Sequence, residues 1–92
     1  MACQIKSKDQ LKSIVLKALR KASGEADLDK DTEWKKAPLL YSEDFLRGFY
    51  FPVKKAVKDQ GCQLAKFTSD DCANADTPKD VIDTIAKELK LK

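Results

Sequence analysis

The stretch SKDQLKSIVLKALRKASG, residues 7–24, decides the fold class. Its first four residues have the form of a capping box, in which the Ser7 hydroxyl accepts from a free backbone N–H and Gln10 reaches back. Gly24 can take the left-handed conformation that ends a helix. Between these ends, one helix face is apolar and the other carries lysines; the apolar positions are Leu11, Ile14, Val15, Ala18, Leu19 and Ala22. The sequence therefore predicts an amphipathic helix that ends at Ser23-Gly24.

Two further stretches repeat this spacing. Ser42 is predicted to cap a second helix that stops at Gln60-Gly61, with an apolar face made of Leu46, Phe49, Tyr50, Val53, Ala56 and Val57. Thr77 is predicted to cap the last helix and Pro78 to open it, because the missing N–H of proline costs nothing at that position. Its apolar face is Val81, Ile82, Ile85, Ala86 and Leu89.

Between these helices the sequence predicts one short helix and one long loop. Thr68 to Asp71 resemble a capped helix start, and little more than a turn or two follows, carrying Cys72. Residues 25–41 lack periodicity and contain Pro38, so we expect a long connection held down by Trp34, Leu39 and Leu40. We therefore expect one all-α domain over residues 1–92, a small four-helix bundle of three amphipathic helices and one short helix.

Pro52 interrupts the predicted second helix and leaves the position of Phe51 open. Because Pro52 cannot donate to the Gly48 carbonyl and its ring clashes there, the helix should kink or break just before it. If the helix runs on, Phe51 falls about 140° from the middle of the apolar face, among the basic residues of the helix, and would be a docking point. We favour the alternative, in which the break turns Phe51 inward.

Composition excludes several classes of function. The 92 residues include no histidine, which removes the commonest general base and metal ligand, so we expect neither an enzyme nor a metal site. Asp27, Asp29 and Asp31 match the first ligands of a calcium loop, but the later positions fail.

Three cysteines without a C-x-x-C pair predict free thiols, with Cys72 buried. With no apolar run long enough for a membrane helix, we expect a cytoplasmic monomer.

The segment from Phe67 to Ile82 resembles the acyl carrier protein family. It has an apolar residue, a cap, acidic residues, a short third helix and a threonine-led fourth helix, as that family does. The first helix and the loop containing Trp34 also fit the resemblance. It implies a bundle of acyl-carrier type that carries acyl groups as thioesters on 4'-phosphopantetheine, as in fatty acid or polyketide biosynthesis. The implied partners are a phosphopantetheinyl transferase and acyl-transfer enzymes.

The resemblance allows two registers at the attachment site. Counting through the loop from Trp34 places the phosphopantetheine on Ser42, between Tyr41 and Glu43, where the family has Asp-Ser-Leu. For Ser42 taken by itself, we favour the alternative of a plain helix cap. Counting by the second helix places Phe45 where the serine belongs, and nothing could be attached. In a carrier, the acyl chain would lie between helices lined by Leu46, Phe49, Val53, Val57 and Ile82.

Two alternatives are binding modules. The second helix is basic where carrier proteins are acidic, which favours a protein-interaction module that uses its aromatic and basic residues: Arg47, Phe51, Lys54, Lys55 and Lys58. Nucleic-acid binding by the first helix, through Lys12, Lys17, Arg20 and Lys21, is a weaker hypothesis. The net charge is only +3 and acidic segments alternate with basic ones along the chain, so we expect that row to be a solvated face.

Overall fold

A computed structural model describes residues 3–91 of the chain. Within them lie five helices and no strand: α1 (Lys8–Ser23), α2 (Glu43–Arg47), α3 (Tyr50–Lys58), α4 (Ser69–Ala73) and α5 (Pro78–Glu88). Helix α1 packs against α3 and α5, and α2 packs against α4. The predicted all-α class is confirmed, and the predicted second helix is divided into α2 and α3.

Helix α1 begins and ends where the sequence predicted. The Ser7 hydroxyl accepts from the Gln10 N–H at 3.2 Å, and the Gln10 side chain accepts from the Lys6 N–H at 2.9 Å. Gly24 closes the helix with a φ of 76°. The apolar face is only partly covered, since Leu11, Val15 and Leu19 are fully buried whereas Ile14 and Ala18 are half-buried and Ala22 is exposed.

The loop between α1 and α2 is held by Trp34. Its side chain is fully buried, and its indole Nε1–H donates to the Ala75 carbonyl at 2.8 Å. Arg20 fixes the start of the loop, because its Nε donates to the Leu28 carbonyl at 2.7 Å. Leu39 packs against the core as predicted, but Leu40 is 67% exposed, so its expected role in holding the loop is wrong. The backbone of Leu40, at φ 50°, directs its side chain away from the core.

Helices α2 and α3 are separated at Gly48 and Phe49. The N–H groups of these two residues bond to carbonyls three residues back, Phe45 at 3.1 Å and Leu46 at 3.0 Å, which tightens the chain at the junction. Pro52 is the third residue of α3, within the first turn, where a helix needs no N–H donor. The break predicted before Pro52 is thus confirmed. It lies at Gly48 and Phe49, and Gly48 carries the carbonyl with which the Pro52 ring would clash in a continuous helix.

The C-terminal half is organised by caps and by one carboxylate. Thr68 and Asp71 form a full capping box at α4. Thr77 occupies the N-cap position of α5 but its side chain makes no capping hydrogen bond, and Pro78 takes the first helical position as predicted. The Glu88 carboxylate accepts from the N–H groups of residues 65–67 at 2.6 to 3.2 Å. These bonds fix the loop before α4 against the end of α5.

The prediction of three free thiols is wrong for two of them. Cys3 and Cys62 form a disulfide, and only Cys72 is free among the described residues, buried as predicted. The two partners are 59 residues apart, so their pairing depends on folding: the Gln4 N–H donates to the Gln60 carbonyl at 2.8 Å and brings the N-terminal segment to the end of α3. Sequence spacing could not indicate this pair.

No helix among residues 3–91 combines the length and apolar character that crossing a bilayer requires.

We predict that the Cys3→Ser/Cys62→Ser variant is less stable than the oxidised protein. Closing a loop of this length restricts the unfolded chain by up to about 4 kcal/mol, which urea unfolding monitored by circular dichroism will measure. As a control, a reducing agent should destabilise the wild type and leave the double variant unchanged. A titration that finds three reactive thiols in the unfolded, unreduced wild type would contradict the disulfide.

Candidate interaction surface

Phe51 is exposed, and the expectation that the break turns it inward is wrong. Its side chain is 72% accessible to solvent. The reason is the position of the break. Phe49 lies just before α3 and its side chain is buried, at 2% exposed, whereas α3 continues regularly through Pro52. Val53 and Val57, which are fully buried, define the inner side of α3, and Phe51 lies on the outer side.

Phe51 belongs to an exposed face of α3 that also contains Lys55 and Lys58. We call these three residues the α3 face; they are spaced i, i+4 and i+7 and all are exposed. Among residues 3–91, neither lysine forms an ion pair. The ring of Phe51 meets that of Tyr50 edge-on, with centroids 5.3 Å apart, which fixes the base of the Phe51 side chain. The α3 face is therefore an apolar group beside two available positive charges.

Arg47 is not free to contact a partner as Lys55 and Lys58 are, although the sequence predicted all three to lie in one basic surface. Its guanidinium bonds to Asp44 at 2.7 Å and to Asp70 at 3.3 Å, and so joins the end of α2 to the start of α4. The hydrogen bond that Arg47 donates to Asp70, followed by the one it donates to Asp44, raises the pKa of Arg47. Arg47 closes one side of a cleft of about 390 Å³ that Phe51 borders on the other. It is a structural link beside the α3 face.

Lys54 lies one turn from both Phe51 and Lys58 on α3, but its ammonium group is engaged with Tyr50. Its Nζ donates to the Tyr50 hydroxyl at 2.9 Å and lies 5.3 Å from the centre of the Tyr50 ring. Tyr50 in turn stacks on the buried Phe67, with centroids 5.5 Å apart. Of the five residues predicted to bind a partner, the structure thus brings Phe51, Lys55 and Lys58 together and holds the other two against neighbouring side chains.

Ser42 lies at the N-cap of α2, as predicted. Its hydroxyl oxygen accepts from the Phe45 N–H at 3.1 Å, and the residue is exposed. The ring of Phe45 is 45% exposed and contacts Tyr41, with centroids 4.5 Å apart, so the surroundings of Ser42 are aromatic on one side and acidic on the other. The hydroxyl can be reached from solvent.

The side chains expected to line an acyl chain form the centre of the core. Each of them is at most 2% exposed: Leu46, Phe49, Val53, Val57 and Ile82. They pack around Trp34, whose ring centroid lies 5.5 Å from that of Phe49. An acyl chain between these residues would have to displace existing apolar contacts, which a well-packed core resists.

Asp70, Asp71 and Cys72 lie near one another on α4 and are explained by the structure of that helix. Asp71 completes the capping box of α4 and Asp70 pairs with Arg47, as expected for carboxylates at a helix start. Burial, and secondarily Asp71, raises the pKa of the Cys72 thiol to about 12, so this thiol is a poor nucleophile at neutral pH. Residues 3–91 contain no group of three or more side chains placed to hold a metal ion.

The basic row on α1 does not form one uniform surface. Arg20 is tied to the Leu28 carbonyl and helps fix the loop. Lys12 lies beside Asp29 and Asp31, whereas Lys17 and Lys21 face α3. Local sequence patterns do not indicate this division, the Arg47–Asp70 link or the Glu88 contacts, since each depends on residues far apart in the chain.

We predict that Phe51→Ala changes the free energy of unfolding by less than about 1 kcal/mol, because the side chain buries little surface in the folded protein. Phe49→Ala, two residues away, is the matched variant and should cost about 3–5 kcal/mol through the cavity it leaves. Urea unfolding of both variants will check this. An equal loss of stability in the two variants would mean that Phe51 is part of the core.

Comparison of this chain with protein-family models, with curated proteins and with solved structures finds no match.

Proposed function

We propose that this chain is a protein-interaction module without an active site of its own, and that it binds a partner through the α3 face. The observation that carries this proposal is the 72% exposure of Phe51 on a regular, well-packed helix. A phenylalanine in water forgoes roughly 1.5–3 kcal/mol of burial energy, which a partner with a matching apolar pocket recovers. Buried aromatic anchors surrounded by polar groups are typical of binding hot spots.

The charges around Phe51 indicate the kind of partner. Lys55 and Lys58 are exposed and make no ion pair within residues 3–91, so they are free to attract carboxylates. Rim charges of this kind act mainly on the rate of association and on the choice of partner. The partner is therefore a protein with an apolar pocket bordered by acidic residues, and its association slows as salt is added.

The test is to compare the partners of three forms of the full chain, cross-linked in the native host and identified by mass spectrometry. Phe51→Ala should lose the specific partner while leaving the fold intact. Leu40→Asn is the matched control, because Leu40 is also a large exposed apolar residue, lies outside α3 and has a left-handed backbone that asparagine accepts. Identical partners for wild type and Phe51→Ala, or equal losses in both variants, would refute the proposal.

The exposed hydroxyl of Ser42 favours a second candidate, an acyl carrier-like protein that tethers acyl intermediates as thioesters. Ser42 begins a helix, is reachable from solvent and follows the long loop containing Trp34, so it suits attachment of 4'-phosphopantetheine as a phosphodiester. When bound, that group supplies the thiol that carries the acyl chain. The residues fit attachment, whereas the packed core leaves the acyl chain outside or requires the helices to separate.

For the carrier candidate, the expected outcome is a mass increase equal to one phosphopantetheine group. It is measured on the intact protein from its native host and after incubation with coenzyme A and a broad-specificity transferase. Ser42→Asp is the appropriate control, because aspartate also caps a helix and keeps α2 intact but lacks the hydroxyl. No added mass, or added mass that remains in Ser42→Asp, would exclude Ser42 as the attachment site.

The compartment in which the module acts remains a prediction. The sequence favoured the cytoplasm, but the Cys3–Cys62 disulfide weighs toward an oxidising environment, where such bonds persist.

A further inference from the structure

A groove of about 700 Å³ runs between α1 and α3. Its floor is formed by small or apolar side chains of the two helices, chiefly Ile14, Ala18, Pro52 and Ala56. Its borders carry lysines on both sides, Lys17 and Lys21 from α1 and Lys55 from α3. It is thus an apolar strip between positive edges.

The floor consists of residues that the sequence pattern assigned to the core. Ile14, Ala18 and Ala22 are one turn apart along α1, yet they are half-buried or exposed, while the parallel row of Leu11, Val15 and Leu19 is fully buried. Residues 14 and 22 are about 12 Å apart along the helix axis, which is two turns. This row of the apolar face of α1 is therefore only partly covered in the described structure, since Ile14 and Ala18 contact the edge of the core and Ala22 is exposed.

The lysines at the border, Lys17, Lys21 and Lys55, form no ion pair within residues 3–91. Asp59 is the only carboxylate among the described residues that line the groove. Lys17 and Lys21 are one turn apart on α1, the spacing at which carboxylates at i and i+4 of a second helix would face them. The charge and the spacing both favour an anionic helix.

We propose that an acidic amphipathic helix of a partner protein lies in the groove between α1 and α3. Its apolar side contacts Ala18 and Ala56, and its carboxylates pair with Lys17 and Lys21. The proposal rests on the proposed function, since α3 forms one wall of the groove and Lys55 belongs to both surfaces. The alanine floor favours a helix over a small phosphate ligand, because a phosphate would pair with the lysines and leave the apolar floor uncovered.

The test uses the full oxidised chain, labelled with ¹⁵N, and a synthetic peptide as probe. The peptide is a helix with leucine and alanine on one side and glutamate on the other; the matched peptide has lysine in place of glutamate. The acidic peptide should shift the amide signals of Ile14, Ala18, Ala22 and Ala56, and the basic peptide should not. Lys17→Glu/Lys21→Glu should weaken binding at least tenfold.

The control variant is Lys6→Glu/Lys87→Glu. It changes the net charge equally, and Lys87→Glu removes a basic residue from the last turn of α5 as Lys21→Glu does from the last turn of α1; Lys6, like Lys17, is exposed and forms no ion pair within residues 3–91. Its affinity should change less than twofold. A second variant, Ala22→Glu, places a carboxylate on the exposed end of the floor and should also weaken binding without unfolding α1.

Four outcomes would overturn the proposal. They are the absence of binding at about 1 mM acidic peptide, equal effects of the two lysine variants, signal changes confined to residues outside the groove, and binding only to anionic phospholipid vesicles. The last outcome would assign the groove to a membrane surface instead. Each of these four outcomes is compatible with a cross-linked partner that depends on Phe51. In that case the proposed function stands and only the assignment of the groove fails.

Discussion

The burial of Trp34 is the interaction on which the arrangement of the helices depends. The loop between α1 and α2 contains no helix or strand, and most of its backbone hydrogen bonds are local turns, so the buried Trp34 supplies its main contact with the core. Its indole N–H bonds to Ala75, at the junction of α4 and α5, and its ring packs against Phe49, at the junction of α2 and α3. One side chain thus locates both helix junctions, and a buried indole without the Ala75 carbonyl would leave its N–H unsatisfied.

The position of Phe49 determines what α3 presents to solvent. The break that Pro52 imposes falls at Gly48 and Phe49, where Phe49 packs against Trp34, and the helix that follows starts with Tyr50. Pro52 then lies where a proline is tolerated, and Phe51 is carried to the outer side. The exposure of Phe51 therefore follows from the position of the break and from the packing of Phe49 against Trp34.

Local patterns predicted the elements well, because caps and helix periodicity act over a few residues. Ser7, Ser42 and Thr68 cap helices as expected, and Gly24 ends α1. The failures concern contacts between distant segments. Whether Phe51 faced inward depended on where the chain broke, within three residues of Pro52, and the pairing of Cys3 with Cys62 depended on the N-terminal segment reaching the end of α3. The spacing of residues along the sequence indicates neither the orientation of Phe51 nor this disulfide.

Folding also brings together charges that are far apart along the chain. Along the chain, basic and acidic segments alternate, and the net charge of +3 indicates no strongly basic surface. The two basic segments contain α1 and α3, and these helices pack side by side. Lys17 and Lys21 are thereby brought to one border of a groove and Lys55 to the other, while most of the acidic loop lies elsewhere. Like charges gathered around an apolar strip repel one another and oppose compaction. Carboxylates that enter the groove would offset this repulsion, so the arrangement of the lysines favours association with an acidic partner.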